Sequence, residues 1–152
     1  MKKILLIVIL FLGFQKTDAQ NNNHIFLEVG GNAGLYSINY ERNLHKNLAV
    51  RIGGSYYSNE GEHYVAFPLL VNYRFHTKFD IYLEFGAGVT LVDDKLTDGT
   101  LGDLTFDNHV PTGVMAICFD YKSGTNLRIS YCPVYYKERH RHHIGFSFGV
   151  KF

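Results

Sequence analysis

From Ile25 onward, apolar and polar residues alternate with a period of two, the pattern of a strand with two unlike faces. The last segment shows it best: His142, Ile144, Phe146, Phe148, Val150 and Phe152 fall on one face, and His143, Gly145, Ser147, Gly149 and Lys151 on the other. The same alternation runs through Leu127–Tyr136, Gly113–Tyr121, Ile81–Leu91, Val65–Phe75, Leu48–Tyr56, Tyr36–Glu41 and Ile25–Gly31. Eight strands are therefore predicted, and an even number suits an antiparallel barrel. The links alternate too. Leu44–Asn47, His76–Lys78 and Lys122–Asn126 are short, Ser58–His63 and Lys137–Arg141 intermediate, and Asp93–Asn108 long. The link near Gly31–Gly34 is shorter than that alternation expects.

Alternation alone leaves two architectures open. A soluble barrel turns its apolar face inward, whereas a membrane barrel turns it out to lipid and fills its middle with the polar face. Three features favour the second. Tyr36, Tyr40, Tyr56, Tyr73, Phe75, Tyr121, Tyr131, Tyr135 and Phe152 stand where interfacial aromatic girdles belong. The polar face is rich in Gly, Ala and Ser, as the narrow interior of an eight-stranded barrel demands. That face also carries about one charge per strand: Glu28, Glu41, Arg51, Arg74, Glu84, Asp120, Arg128 and Lys151, four acidic and four basic. Buried charges are tolerated when paired, so this balanced set is expected to form an interior charge network. The fold class is thus an all-β, eight-stranded, antiparallel up-and-down transmembrane β-barrel.

Before the strands, Lys2 and Lys3, the apolar run Ile4–Phe14 and the small residues before Gln20 read as a secretory signal peptide, residues 1–19. The run is too short for a helix across a bilayer about 30 Å thick. Residues 20–152 then form one barrel domain. The chain of 152 residues carries 15 Lys plus Arg and 14 Asp plus Glu; loss of three Lys and one Asp with the leader leaves 12 and 13, a net charge of −1. Such a balance excludes a nucleic-acid partner recognised by charge alone.

With signal peptide and strands in place, the ending Phe146-Ser147-Phe148-Gly149-Val150-Lys151-Phe152 resembles that of small bacterial outer-membrane β-barrels of the OmpA/OmpX type. The stretches Glu28-Val29-Gly30-Gly31-Asn32 and Tyr40-Glu41-Arg42 resemble the outer-membrane barrels of Bacteroidetes-type bacteria. The resemblance implies an outer-membrane location, and that Phe146, Phe148, Val150 and Phe152 form the signal read by the barrel-assembly machinery. Family members range over structural, adhesive and lipid-modifying roles.

Candidate chemistry gathers at the loops. Lys137, Arg139, His140 and Arg141 suit phosphate-bearing lipid headgroups such as those of lipopolysaccharide. His140, His142 and His143 lack a fixed metal-ligand spacing. Asp93, Asp94, Asp98, Asp103 and Asp107 do not follow the order of a regular calcium loop, and Leu96, Leu101, Leu104 and Phe106 hint at partner contact. For hydrolysis, Ser130, Ser147, His143 and Glu138 supply the residue types, but Ser147 and His143 stand about 13 Å apart along one strand face. Cys118 and Cys132 share the polar phase; pairing Tyr121 with Leu127 offsets them, so free thiols are expected. The function expected is a non-catalytic structural or surface-interaction barrel with a side-chain-plugged interior and no cofactor. Its expected partners are outer-membrane lipids, lipopolysaccharide, the barrel-assembly machinery and an unidentified extracellular molecule. A lipid-modifying barrel enzyme and a soluble periplasmic lipocalin-like binder are the alternatives.

Overall fold

A computed structural model describes residues 22–59, 62–77, 80–96, 108–136 and 139–152. The expected signal peptide, Lys137, Glu138, and Asp98, Leu101, Asp103, Leu104, Phe106 and Asp107 of the acidic loop lie outside the described residues. The strands are β1 (Asn23–Val29), β2 (Tyr36–His45), β3 (Leu48–Asn59), β4 (Glu62–His76), β5 (Ile81–Leu96), β6 (Asn108–Asp120), β7 (Thr125–Tyr136) and β8 (Arg139–Lys151). Each pairs antiparallel with its chain neighbours, and β1 closes on β8, so the sheet forms a closed barrel.

The alternating phase is realised as side-chain direction. Leu27, Ile38, Phe85, Ile129, Ile144 and Phe148 face outward and are exposed. Arg42, which shares the outward phase of β2 with Ile38 and Tyr40, lies toward the end of its strand rather than at its middle. Of the aromatics expected in girdles, Tyr73, Phe75, Tyr121 and Phe152 stand at the end of the three short turns and Tyr36, Tyr56 and Tyr135 toward the opposite, loop end, whereas Tyr40 and Tyr131 lie nearer the middles of their strands. Phe85, Phe146 and Phe148 also face outward between the two ends. Inside, space is scarce. A Cβ on Gly53 would stand 2.2 Å from Asn39 Oδ1, and one on Gly86 2.0 Å from Asn72 Oδ1.

The strands extend beyond the alternating segments at the loop end. β5 runs to Leu96 rather than Leu91, β6 starts at Asn108 rather than Gly113, and β8 at Arg139 rather than His142. Ladder hydrogen bonds belong to the backbone, so pairing continues where the two faces no longer need to differ. The link expected over Asp93–Asn108 accordingly shrinks from both ends. Register also differs between β6 and β7: Phe119 pairs with Leu127 and Tyr121 N–H donates to Thr125 O. Cys118 therefore lies opposite Arg128, four residues along β7 from Cys132, and both thiols are free and buried.

The short link after β1 is a built turn. Gly30, Gly31 and Gly34 have φ of 75°, 82° and 95°, and Gly30 N–H donates to Leu35 O at 2.8 Å. Positive φ is cheap only for glycine. At Gly31 the need is double, because an added Cβ would lie 2.5 Å from the Glu28 carboxyl carbon. The turn folds into the barrel mouth rather than away from it. Ala33 is fully buried against Ala66, Val92, Val110 and Val134.

Candidate functional site

The middle of the lumen holds three carboxylates and three guanidinium groups, all buried: Glu28 (β1), Glu41 (β2), Arg51 (β3), Arg74 (β4), Glu84 (β5) and Arg128 (β7). Each sits in the inward phase of its strand, so alternation by itself aims all six at the axis. Arg51 Nη2 donates to Glu84 Oε1 at 3.2 Å, and its Nε lies 3.7 Å from Glu41 Oε2. Arg74 Nε donates to Glu84 Oε2 at 3.0 Å, and Arg74 also bonds Glu41 and Asn43. Arg128 Nη2 donates to Glu41 Oε1 at 3.0 Å and to Glu84 Oε2 at 3.3 Å. Glu41 and Glu84 are thus each shared by all three arginines. Glu28 stands one layer toward the loop end, 3.9 Å from Arg51 Nη1, and accepts from Ser130 Oγ and Ser147 Oγ at 3.4 and 3.3 Å.

Neutral side chains complete the cluster. Asn72 Nδ2 donates to Glu41 Oε2 at 2.8 Å and to Glu84 Oε1 at 3.2 Å. Phe26 lies between two guanidinium groups, with Arg128 Cζ 4.5 Å and Arg51 Cζ 5.0 Å from its ring centroid. Tyr82 takes Arg74 in the same way at 5.0 Å. Flat rings let the cations approach without a polar partner on that side. These three residues were not singled out from the sequence. The signal for Phe26 and Tyr82 was present, as aromatics in an otherwise polar phase.

Asp120 and Lys151 do not join the central cluster. They bond each other at the turn end, with side chains about one-fifth exposed, and Asn126 Nδ2 donates to Asp120 Oδ1 at 2.6 Å. Phe146, Phe148, Val150 and Phe152 all face outward from β8 and the residue after it. Of the loop-end bases, Arg139, His140 and Arg141 are exposed. His142 stacks outward on Tyr131, its Nδ1 2.5 Å from the phenol oxygen, whereas His143 turns inward with Nδ1 3.0 Å from Gly31 O. Among the described residues, no three His, Cys, Asp or Glu are grouped as a metal site would require.

At the loop end the lumen opens as a cavity of about 290 Å³. Its walls include Val92, Val110 and Val134, and on the polar side Asn32, Ser55, Tyr57, Thr90, Arg141 and His143. Asn32 is fixed by its backbone oxygen, which accepts from Thr90 Oγ1 at 3.4 Å, and by Oδ1, which accepts from Thr112 Oγ1 at 2.7 Å. The cavity was not foreseen, because nothing local in Gly30–Leu35 shows that the turn enters the mouth.

The chain matches no protein-family model and no curated protein. Its fold does match solved structures. The N-terminal β-barrel domain of Pseudomonas aeruginosa OprF aligns with a TM-score of 0.64 at 16% identity, over 88% of this chain and all of that one. Neisserial surface protein A aligns with a TM-score of 0.60 at 12% identity, over 86% of this chain and 97% of that one. The Yersinia pestis outer membrane protein Ail, in a phospholipid bilayer nanodisc, gives 0.57 at 8% identity, over 88% and 100%. The shared architecture, the closed antiparallel ladder and the apolar exterior give this chain the fold of the OmpA/OmpX type, an eight-stranded transmembrane β-barrel.

Proposed function

We propose that this protein is an integral outer-membrane barrel with a lumen closed to diffusion, serving a structural or surface-interaction role without catalysis. The observation that carries the reading is the central cluster, in which Glu41 and Glu84 each face Arg51, Arg74 and Arg128 across the axis. Opening a path there would separate desolvated charges, which is strongly unfavourable. The names of the similar structures, an outer membrane protein and a surface protein among them, support the location and the surface role. Export through a signal peptide at residues 1–19, recognition of Phe146, Phe148, Val150 and Phe152 by the assembly machinery, and contact of Arg139, His140 and Arg141 with lipopolysaccharide phosphates belong to the same reading. Against a hydrolase, Ser130 and Ser147 both turn their hydroxyls to Glu28 while His143 bonds Gly31 O. Against a soluble binder, Arg51, Glu84 and Arg128 are buried while Leu83 and Phe148 are exposed, the reverse of a lipocalin.

The test pairs fractionation with conductance. The full chain expressed with its leader is expected in the outer-membrane fraction, migrating faster on gels before heating than after. In planar bilayers it is expected to give no stable open-channel steps. Recovery in the soluble fraction would contradict the location, and steady channel steps would contradict the closed lumen.

A further inference from the structure

The wall of the barrel is not closed to its full height. β1 ends at Val29, whose partner on β8 is Phe146, and the turn that follows enters the mouth. β8 extends past that point to Arg139 and stays paired with β7 throughout. Among the described residues, no strand lies along the other flank of Arg139–His143.

Ladder parity identifies the groups on that flank, because alternate residues of a strand turn N–H and C=O to the same neighbour. Phe152 exchanges both bonds with Asn23 of β1, at 2.9 and 3.1 Å, whereas Lys151 N–H donates to Gly124 O on the β7 side at 2.8 Å. The register is unbroken from there to Arg139. The N–H and C=O of His140 and His142 therefore point to the open flank, and those of Arg141 to β7. Side chains leave the flank uncovered: His142 stacks on Tyr131 and His140 lies against Tyr135, so both rings lean over β7. Across the gap, β3 is treated differently. Tyr56 O, beyond the last β2 partner at Gly54, is capped by the Tyr36 hydroxyl.

Free edges are commonly blunted by proline, a bulge or charge. Arg139–His143 has no proline and no bulge against β7, only charge: all five residues are arginine or histidine, and their partners Cys132–Tyr136 include no carboxylate. Such an edge repels a second copy of itself and attracts acid. The same bases place it beyond the hydrocarbon, where an unpaired edge is tolerated.

We propose that this edge takes up an extended acidic segment of a partner protein by strand addition. The proposal rests on the surface-interaction role above and gives it a partner class. Cross-strand neighbours share a face, so the segment sets apolar residues outward opposite His140 and His142, and acidic residues inward beside Arg139 and His143.

The probe is the blocked hexapeptide Asp-Val-Asp-Val-Asp-Val, added to the full barrel in lipid nanodiscs while amide hydrogen exchange is followed by NMR. Without peptide, the amides of His140 and His142 are expected to exchange fast and that of Arg141 slowly. Peptide is expected to slow His140 and His142 about ten-fold or more and to leave Arg141 unchanged. N-methylation of the valines, whose N–H groups face β8, is expected to abolish this protection; N-methylation of the aspartates, whose N–H groups face away, is expected to preserve it. The counterpart with lysine for aspartate is expected to give none. His142→Pro removes an edge donor but no bond to β7, and is expected to lose binding while the barrel keeps its heat-modifiable mobility. Protection that ignores parity, or that survives valine N-methylation, would overturn strand addition. Absence of protection in a barrel with normal mobility would overturn it too, and would leave the outer-membrane reading standing.

Discussion

Arg128 shows how tightly single residues are bound into this molecule. It is 1% exposed, donates to Glu41 and Glu84, and covers the Phe26 ring. Removing one member of such a set leaves a desolvated charge uncompensated, at about 3–5 kcal/mol. Arg128→Met is therefore expected to lower unfolding stability by about that amount. Adding Glu41→Gln to it should cost less than the two single changes summed, because each removes the other's stranded partner. Urea unfolding of the lipid-refolded barrel, followed by gel mobility, measures both. Additive losses would show that the two side chains are not coupled. The placement of the charged residues in the inward phase could be read from alternation, since parity alone assigns Glu41, Arg51 and Glu84 to one face. Which charges meet could not be read, because partners such as Arg128 and Glu41 stand 87 residues apart and depend on barrel closure.

At the level of the strand, β8 is the clearest case. Phe146, Phe148 and Val150 project outward while Ser147 and Gly149 turn in, so one face meets the surroundings and the other meets Glu28 and Phe26. An arginine on the outward face in mid-bilayer costs about 2–4 kcal/mol. Phe148→Arg is expected to lose that much stability, measured by folding into vesicles, whereas Phe148→Leu should change it little. An Arg variant as stable as the Leu variant would mean that this face does not meet hydrocarbon. Strand ends were less legible than strand middles. The alternation that identifies a strand is imposed by two unlike environments, and it fades where Asn108–Val110 and Arg139–Arg141 extend past them, although the ladder continues. The β6–β7 register escaped for a related reason. The turn at Gly124, with φ of 86°, sets which residues oppose one another, and Tyr121 pairs with Thr125 rather than Leu127.

Across the whole molecule, the architecture inverts the usual arrangement of a soluble protein. Side chains that water would bury are displayed, and side chains that water would solvate are enclosed in mutual contact. The two halves of that arrangement depend on each other. Lipid outside requires every backbone group to be paired, hence closure of β1 on β8. Closure at eight strands leaves room for side chains alone, so the enclosed charges must neutralise one another. The same closure gathers Asn32, Val134 and Arg141 at one mouth, which no local stretch of sequence foretells.

The most direct test uses the absence of Trp from the chain, which makes a single introduced indole an unmixed reporter. Phe85→Trp and Phe148→Trp report the outward face, and Phe26→Trp the space between Arg51 and Arg128. In bilayers with brominated acyl chains, the fluorescence of the Phe85→Trp and Phe148→Trp variants is expected to be strongly quenched and that of the Phe26→Trp variant to persist. Quenching of the two outward reporters by aqueous acrylamide instead, with bromolipids without effect, would contradict a lipid-facing exterior.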